Sequence, residues 1–188
     1  MPYFSSNAAD TRTTGVDLTA TYGIRLENRG LLRLTGGANL NHTAVTRTRS
    51  VGELGVGRIE VMRLEHGQPE QSLLASAAYQ QGTFGALLRT QRFGEVRTAG
   101  AQRTFAFDQT FRARFVTDAN ISVTLLRRYT LTAGADNIFD TYPDRIGAGG
   151  TFPVRSAVPN PYLMLPYSAA SPFGFNGRFV FGRLSLYL

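Results

Sequence analysis

The residues that could do chemistry in this chain are few, and they do not converge. His42 and His66 are its only histidines and it has no cysteine, so no thiolate is available and a metal centre would have to be built from scattered carboxylates. No metal or cofactor is expected. Ser168 and Ser171 lie in a loop with no local base to activate them, so no catalytic residue is assigned and the chain is read as non-enzymatic. Gly147-Ala148-Gly149-Gly150 resembles a phosphate loop only in composition; no helical pattern follows it, and a loop tip is expected. Arg112, Arg114 and Asp118 fall on the polar side of one strand, where they either meet a polar partner in an interior or form a ladder of cross-strand ion pairs. The segment Thr141–Asn176 carries Tyr142, Phe152, Arg155, Tyr162 and Tyr167. These types are favoured at recognition surfaces and the connection is long, so they serve either a ligand or the packing of the loop itself.

Composition bounds the setting. All 20 basic residues are arginine, and with 13 acids the formal charge is +7. That balance raises nucleic acid or an anionic membrane as partners, but the arginines are dispersed and form no clustered footprint, so nucleic-acid binding is not expected. Absence of cysteine suits an oxidising compartment. Residues 1–7 show neither a basic n-region nor an apolar h-region, so no secretory signal is read there. No run of about twenty apolar residues offers a membrane-spanning helix.

The elements that must hold these residues are strands. From Gly15 to Leu26 the even positions are Val16, Leu18, Ala20, Tyr22, Ile24 and Leu26, while the odd ones are small or polar. A period of two over that length is a strand facing two different environments, and it approaches the roughly 9–11 residues of a tilted bilayer-crossing strand. The division recurs from Leu31 to Ala44 and from Phe111 to Leu125, where Thr117 alone interrupts the apolar side. Seven strands are expected, at 13–27, 31–47, 71–81, 83–94, 111–126, 129–139 and 177–188. Short connections at Asn28-Arg29-Gly30, Gln81-Gly82 and Arg127-Arg128 alternate with long ones near 45–70, 95–110 and 140–176, the arrangement of outer-membrane barrels. Tyr22, Tyr79, Tyr129, Phe139 and Tyr187 sit near strand ends, as an interfacial girdle requires. Small residues such as Gly36, Gly37, Ala75, Ala77 and Ala78 would make a poor soluble core, whereas lipid fills the gaps they leave. Alternation alone also fits a soluble β-sandwich with one face in water.

Two motifs carry a family resemblance. Asn137-Ile138-Phe139-Asp140-Thr141-Tyr142-Pro143 reads as a strand closing on an Asx-type turn, and Ser171-Pro172-Phe173-Gly174-Phe175-Asn176-Gly177-Arg178-Phe179 as a loop delivering the chain into a last strand. Together with Thr14-Gly15-Val16-Asp17-Leu18 before Tyr22, Arg63–Glu70, Phe115–Asp118 and Leu131–Asp140, they make nearly the whole chain resemble the C-terminal part of a TonB-dependent outer-membrane receptor. The resemblance implies an all-β fold: residues 1–188 form a fragment of about seven antiparallel transmembrane strands from a barrel of about 22. Plug, TonB box and signal peptide are absent from it. It implies uptake of a ferric siderophore or similar bulky nutrient, driven by TonB through the missing plug, in the bacterial outer membrane. Arg112, Arg114 and Asp118 would face the lumen. Leu184, Leu186 and Leu188 would be read by the barrel assembly machinery, although the family usually ends on Phe. Implied partners are outer-membrane lipid and the rest of the same receptor. Alternatives are a porin, an outer-membrane enzyme or a soluble β-sandwich binding module.

Overall fold

The computed structural model describes residues 8–27, 30–51, 54–99, 108–146, 167–168 and 171–186. Seven long strands make one antiparallel sheet: β1 (Ala9–Arg25), β2 (Leu31–Thr48), β5 (Gln71–Gln81), β6 (Phe84–Phe93), β9 (Arg114–Leu125), β10 (Tyr129–Asp136) and β11 (Phe179–Leu186). They lie side by side in chain order, leaving β1 and β11 as the two edges. The short pairs β3 (Ser50–Val51) with β4 (Leu54–Gly55) and β7 (Val96–Thr98) with β8 (Gln109–Phe111) belong to the long connections, as does helix α1 (Arg58–His66). No described helix is long and apolar enough to cross a membrane.

The register keeps like with like. Directly opposed residues in antiparallel strands project to the same side, so the row Tyr22, Leu34, Ala77, Leu88, Ala119, Ala135, Val180 runs apolar across all seven strands, as does the row Ile24, Leu32, Tyr79, Ala86, Ile121, Ala133, Gly182. The other side carries hydrogen-bonded polar pairs: Thr21 with Thr35 at 3.2 Å, Asn39 donating to Asp17 at 2.5 Å, and Thr124 with Thr130 at 3.0 Å. Such pairs satisfy one another across strands.

Among the described residues nothing covers the apolar side. Val16 is 65% exposed, Leu18 66%, Ile121 54% and Leu184 64%. Among the described residues the only buried hydrophobic side chains are Val96 and Phe111, which face each other across β7 and β8. The core therefore sits beside the long connections, away from the sheet's apolar side.

Strand count and order of boundaries follow the alternation, with differences that have causes. The strand expected at 111–126 starts at Arg114, because the Arg112 backbone N–H donates to the Asp144 carboxylate at 2.8 Å instead of joining a ladder. Phe111, placed on the apolar side by its period, is instead buried in β8. The strand expected at 129–139 ends at Asp136, since Asn137 turns the chain with φ 52°. Residues 45–70, read as a loop, contain α1, whose Glu60 carboxylate accepts from the Gly57 N–H at 3.0 Å. In the turn after β9, Leu126 and Arg127 both take positive φ, 49° and 57°, and the Arg128 N–H donates to the Leu125 carbonyl at 3.1 Å.

Candidate functional site

All three long connections (49–70, 94–113 and 137–178) leave from the same end of the sheet, and their described parts gather there. Three local structures result, each built from residues far apart in the chain.

The first joins the two sequence motifs. Asn137 folds back on itself: its Nδ2 donates to the Thr141 carbonyl and its Oδ1 accepts from the Thr141 N–H, both at 2.8 Å. This Asx-type closure presents Asp140, whose Oδ1 accepts from the Arg178 N–H at 2.8 Å. Gly177, at φ 73°, passes so close to Tyr142 that an added Cβ would lie 2.1 Å from its hydroxyl, a position only glycine fills. The neighbouring Asp140 carboxylate raises the Tyr142 phenol above its ordinary pKa, keeping it a donor. Tyr142 stacks on Tyr167 with centroids 5.5 Å apart, and Tyr167 stacks on Phe175 at 6.0 Å. Two of the five aromatic or arginine residues expected to form a recognition loop, Tyr142 and Tyr167, are thus brought together; Phe152, Arg155 and Tyr162 lie outside the described residues.

The second separates residues expected to act together. Asp118 takes Arg89 on one oxygen, at 2.6 Å from Nη2, and the Asn137 N–H on the other at 2.9 Å. Arg112 and Arg114 instead converge on Asp144, at 3.0 and 2.5 Å. Asp144 is buried, and its hydrogen bonds from Arg112, with those from Arg114, hold its pKa at about 2, below the ordinary 3.8. Asp118 thus enters a cross-strand ion pair, but with Arg89, which opposes it in β6 and β9 and was not among the residues expected there. For Arg112 and Arg114 the expected ladder is replaced by a clamp on the loop before Arg145.

The third was invisible in sequence. His42 Nδ1 and His66 Nδ1 each lie 3.4 Å from the same Oε1 of Glu70, although nothing in the spacing of the two histidines joins them. No group of three or more His, Cys, Asp or Glu suited to a metal ion occurs among the described residues. Ser171 donates to the Phe173 carbonyl, a local turn bond. Leu184 and Leu186 lie exposed on the apolar side of β11, and Leu188 is outside the described residues.

Chemically, this end brings together stacked rings, a phenol donor and arginines held by carboxylates. Comparison with family models, curated proteins and solved structures finds no match to this chain.

Proposed function

We propose that the chain is the C-terminal part of the barrel wall of a TonB-dependent outer-membrane receptor, without enzymatic activity, serving uptake of a ferric siderophore or similar bulky nutrient. The observation that carries the membrane part of this reading is the uncovered apolar side of a seven-stranded sheet whose opposite side is a hydrogen-bonded polar lattice. In water such a side would demand a second layer, and no second sheet of comparable size exists among the described residues. In a barrel it faces lipid while the polar side lines the interior.

The register supports the same reading. The row Arg25, Leu31, Gln80, Gly85, Ser122 contains the last pair before the first short turn, yet it falls three residues before the last pair of β9, Leu125 with Tyr129. That stagger is about one residue per strand step. At about 3.3 Å rise and about 4.8 Å between strands, it corresponds to a tilt of roughly 35°, within the range of closed barrels. From Val16 in β1 to Leu26 just beyond its end is roughly 34 Å at about 3.4 Å per residue, or roughly 28 Å vertically at that tilt, close to the apolar band of about 25 Å. Tyr22, Tyr79, Phe84 and Tyr129 lie on the apolar side near the short-turn end, where a girdle belongs. Edges β1 and β11 would pair with the rest of the wall, since lipid cannot satisfy a free strand edge. The receptor identity itself rests on the two motifs and their mutual packing through Asp140, Tyr142, Gly177 and Arg178, and TonB acts through a plug outside this chain.

Because the chain has no tryptophan, single reporters test the orientation. Leu18→Trp should be quenched by bromine-labelled acyl chains in phosphatidylcholine vesicles and Thr19→Trp should be quenched little. Equal quenching, or a monomer that stays soluble without detergent, would overturn the membrane reading. Expressed alone behind a secretion signal, the chain should give no energised uptake of labelled ferric siderophore in an uptake-deficient strain; uptake would refute the fragment assignment.

A further inference from the structure

Near the long-connection end the apolar side changes character. Along β6 its outward residues run Phe84, Ala86 and Leu88, then turn polar at Thr90 and Arg92, and the neighbouring strand β5 ends at Gln71, opposite Leu40 on the same side. Above them the connections form a cleft of about 340 Å³ lined by Arg92, Gln71, Glu70, His66, Glu95 and Arg97, among others. A second cleft of about 420 Å³ shares Glu70 and Gln71 and has Val16 and Leu40 in its lining. The pair of clefts therefore runs from charged groups down onto the apolar band.

Both carboxylates of the first cleft are engaged. Glu70 faces His42 and His66, and Glu95 accepts from Arg97 at 2.6 Å. Arg92 is half-buried and, among the described residues, meets no carboxylate. A guanidinium at the edge of an apolar surface with no counter-ion among the described residues is poorly placed by itself, and its planar fork matches a phosphate bidentately. Its position on the outer side, away from the polar lattice, excludes a ligand travelling through the interior.

We propose that this cleft holds the phosphate of an anionic lipid headgroup at the rim of the sheet, with Arg92 as the binding cation and Val16 and Leu40 under the first part of the acyl chains. The site rests on the membrane reading given above. An arginine at an anionic membrane surface is worth about fivefold in affinity.

The test uses the full chain carrying Leu18→Trp, reconstituted with phosphatidylcholine vesicles with and without phosphatidic acid at low salt. Phosphatidic acid should tighten association, and Arg92→Gln should remove about fivefold of that gain. Arg33→Gln, an equal loss of charge on the polar side, should leave it intact. An unchanged Arg92→Gln or an equal loss in Arg33→Gln would overturn the site while the tryptophan reporter remains quenched by bromine-labelled lipid. Loss of quenching in every vesicle would overturn the membrane reading, and the site with it.

Discussion

Gly36 lies at the middle of the row Ala20, Gly36, Ala75 on the sheet's apolar side, and a Cβ built on it meets nothing within 4 Å. Replacing it by arginine therefore costs no packing, and the free-energy change reports the surrounding solvent alone. In water, relief of a strand glycine should stabilise by roughly 0.5–1 kcal/mol. At the centre of a bilayer an outward arginine costs about 2–4 kcal/mol, which exceeds that gain and reverses the sign. Its neighbour Thr35 points to the polar side and shares a 3.2 Å hydrogen bond with Thr21; Thr35→Arg should cost about 1 kcal/mol for that bond in either setting. The rank order of the two variants thus distinguishes lipid from water. Reversible guanidinium unfolding of a receptor containing this segment, in phosphatidylcholine vesicles and followed by circular dichroism, measures it. Gly36→Arg at or above parental stability would refute the argument.

Other outcomes follow from the loops and turns. Gly177→Ala should destabilise by about 2–3 kcal/mol, from its φ of 73° and the close Tyr142 hydroxyl, read as a lower unfolding midpoint and loss of protection at the Arg178 amide. Asp144 is held at a pKa of about 2 against an ordinary 3.8, so its contribution is full above pH 3.8 and lost as pH falls toward 2; Asp144→Asn should flatten the acid limb of a stability profile over that window. Leu126→Asn with Arg127→Gly should stabilise the β9–β10 turn by about 1–2 kcal/mol, because both positions have positive φ, and an unchanged unfolding midpoint would count against it. Deleting 186–188 from a receptor containing this segment should abolish outer-membrane insertion, assayed by membrane fractionation.

The strands were most legible where alternation is long, at 15–26, 31–44 and 111–125, and the short turns were marked by Asn28-Arg29-Gly30, Gln81-Gly82 and Arg127-Arg128. Helix α1 was missed although its signals were present: Glu60 in the first turn, Arg63 and His66 in the last, and good helix formers between. The long connection in which it lies masked it. The His66–Glu70 pair was legible as an i,i+4 spacing once a helix is placed there, but His42 in β2 and the Arg112 and Arg114 partners of Asp144 could not be found from spacing, because they meet only once the strands are aligned. The pairing of Asp140 with Gly177–Arg178 was half visible. Each motif stood out, but their contact depends on β10 and β11 being neighbours.

That the spatial order of the strands repeats their order in the chain gives the sheet the logic of a fence built plank by plank. Each strand is bonded only to its predecessor and its successor, so growth needs no rerouting: a new hairpin can be laid against the last one already in place. Defects should stay local for the same reason, since a weakened plank loosens two ladders and leaves the others untouched. A wall of this kind can gain or lose a hairpin without changing how the remaining planks meet. The loops tied at one end can vary in sequence while the pairing scheme beneath them stays the same.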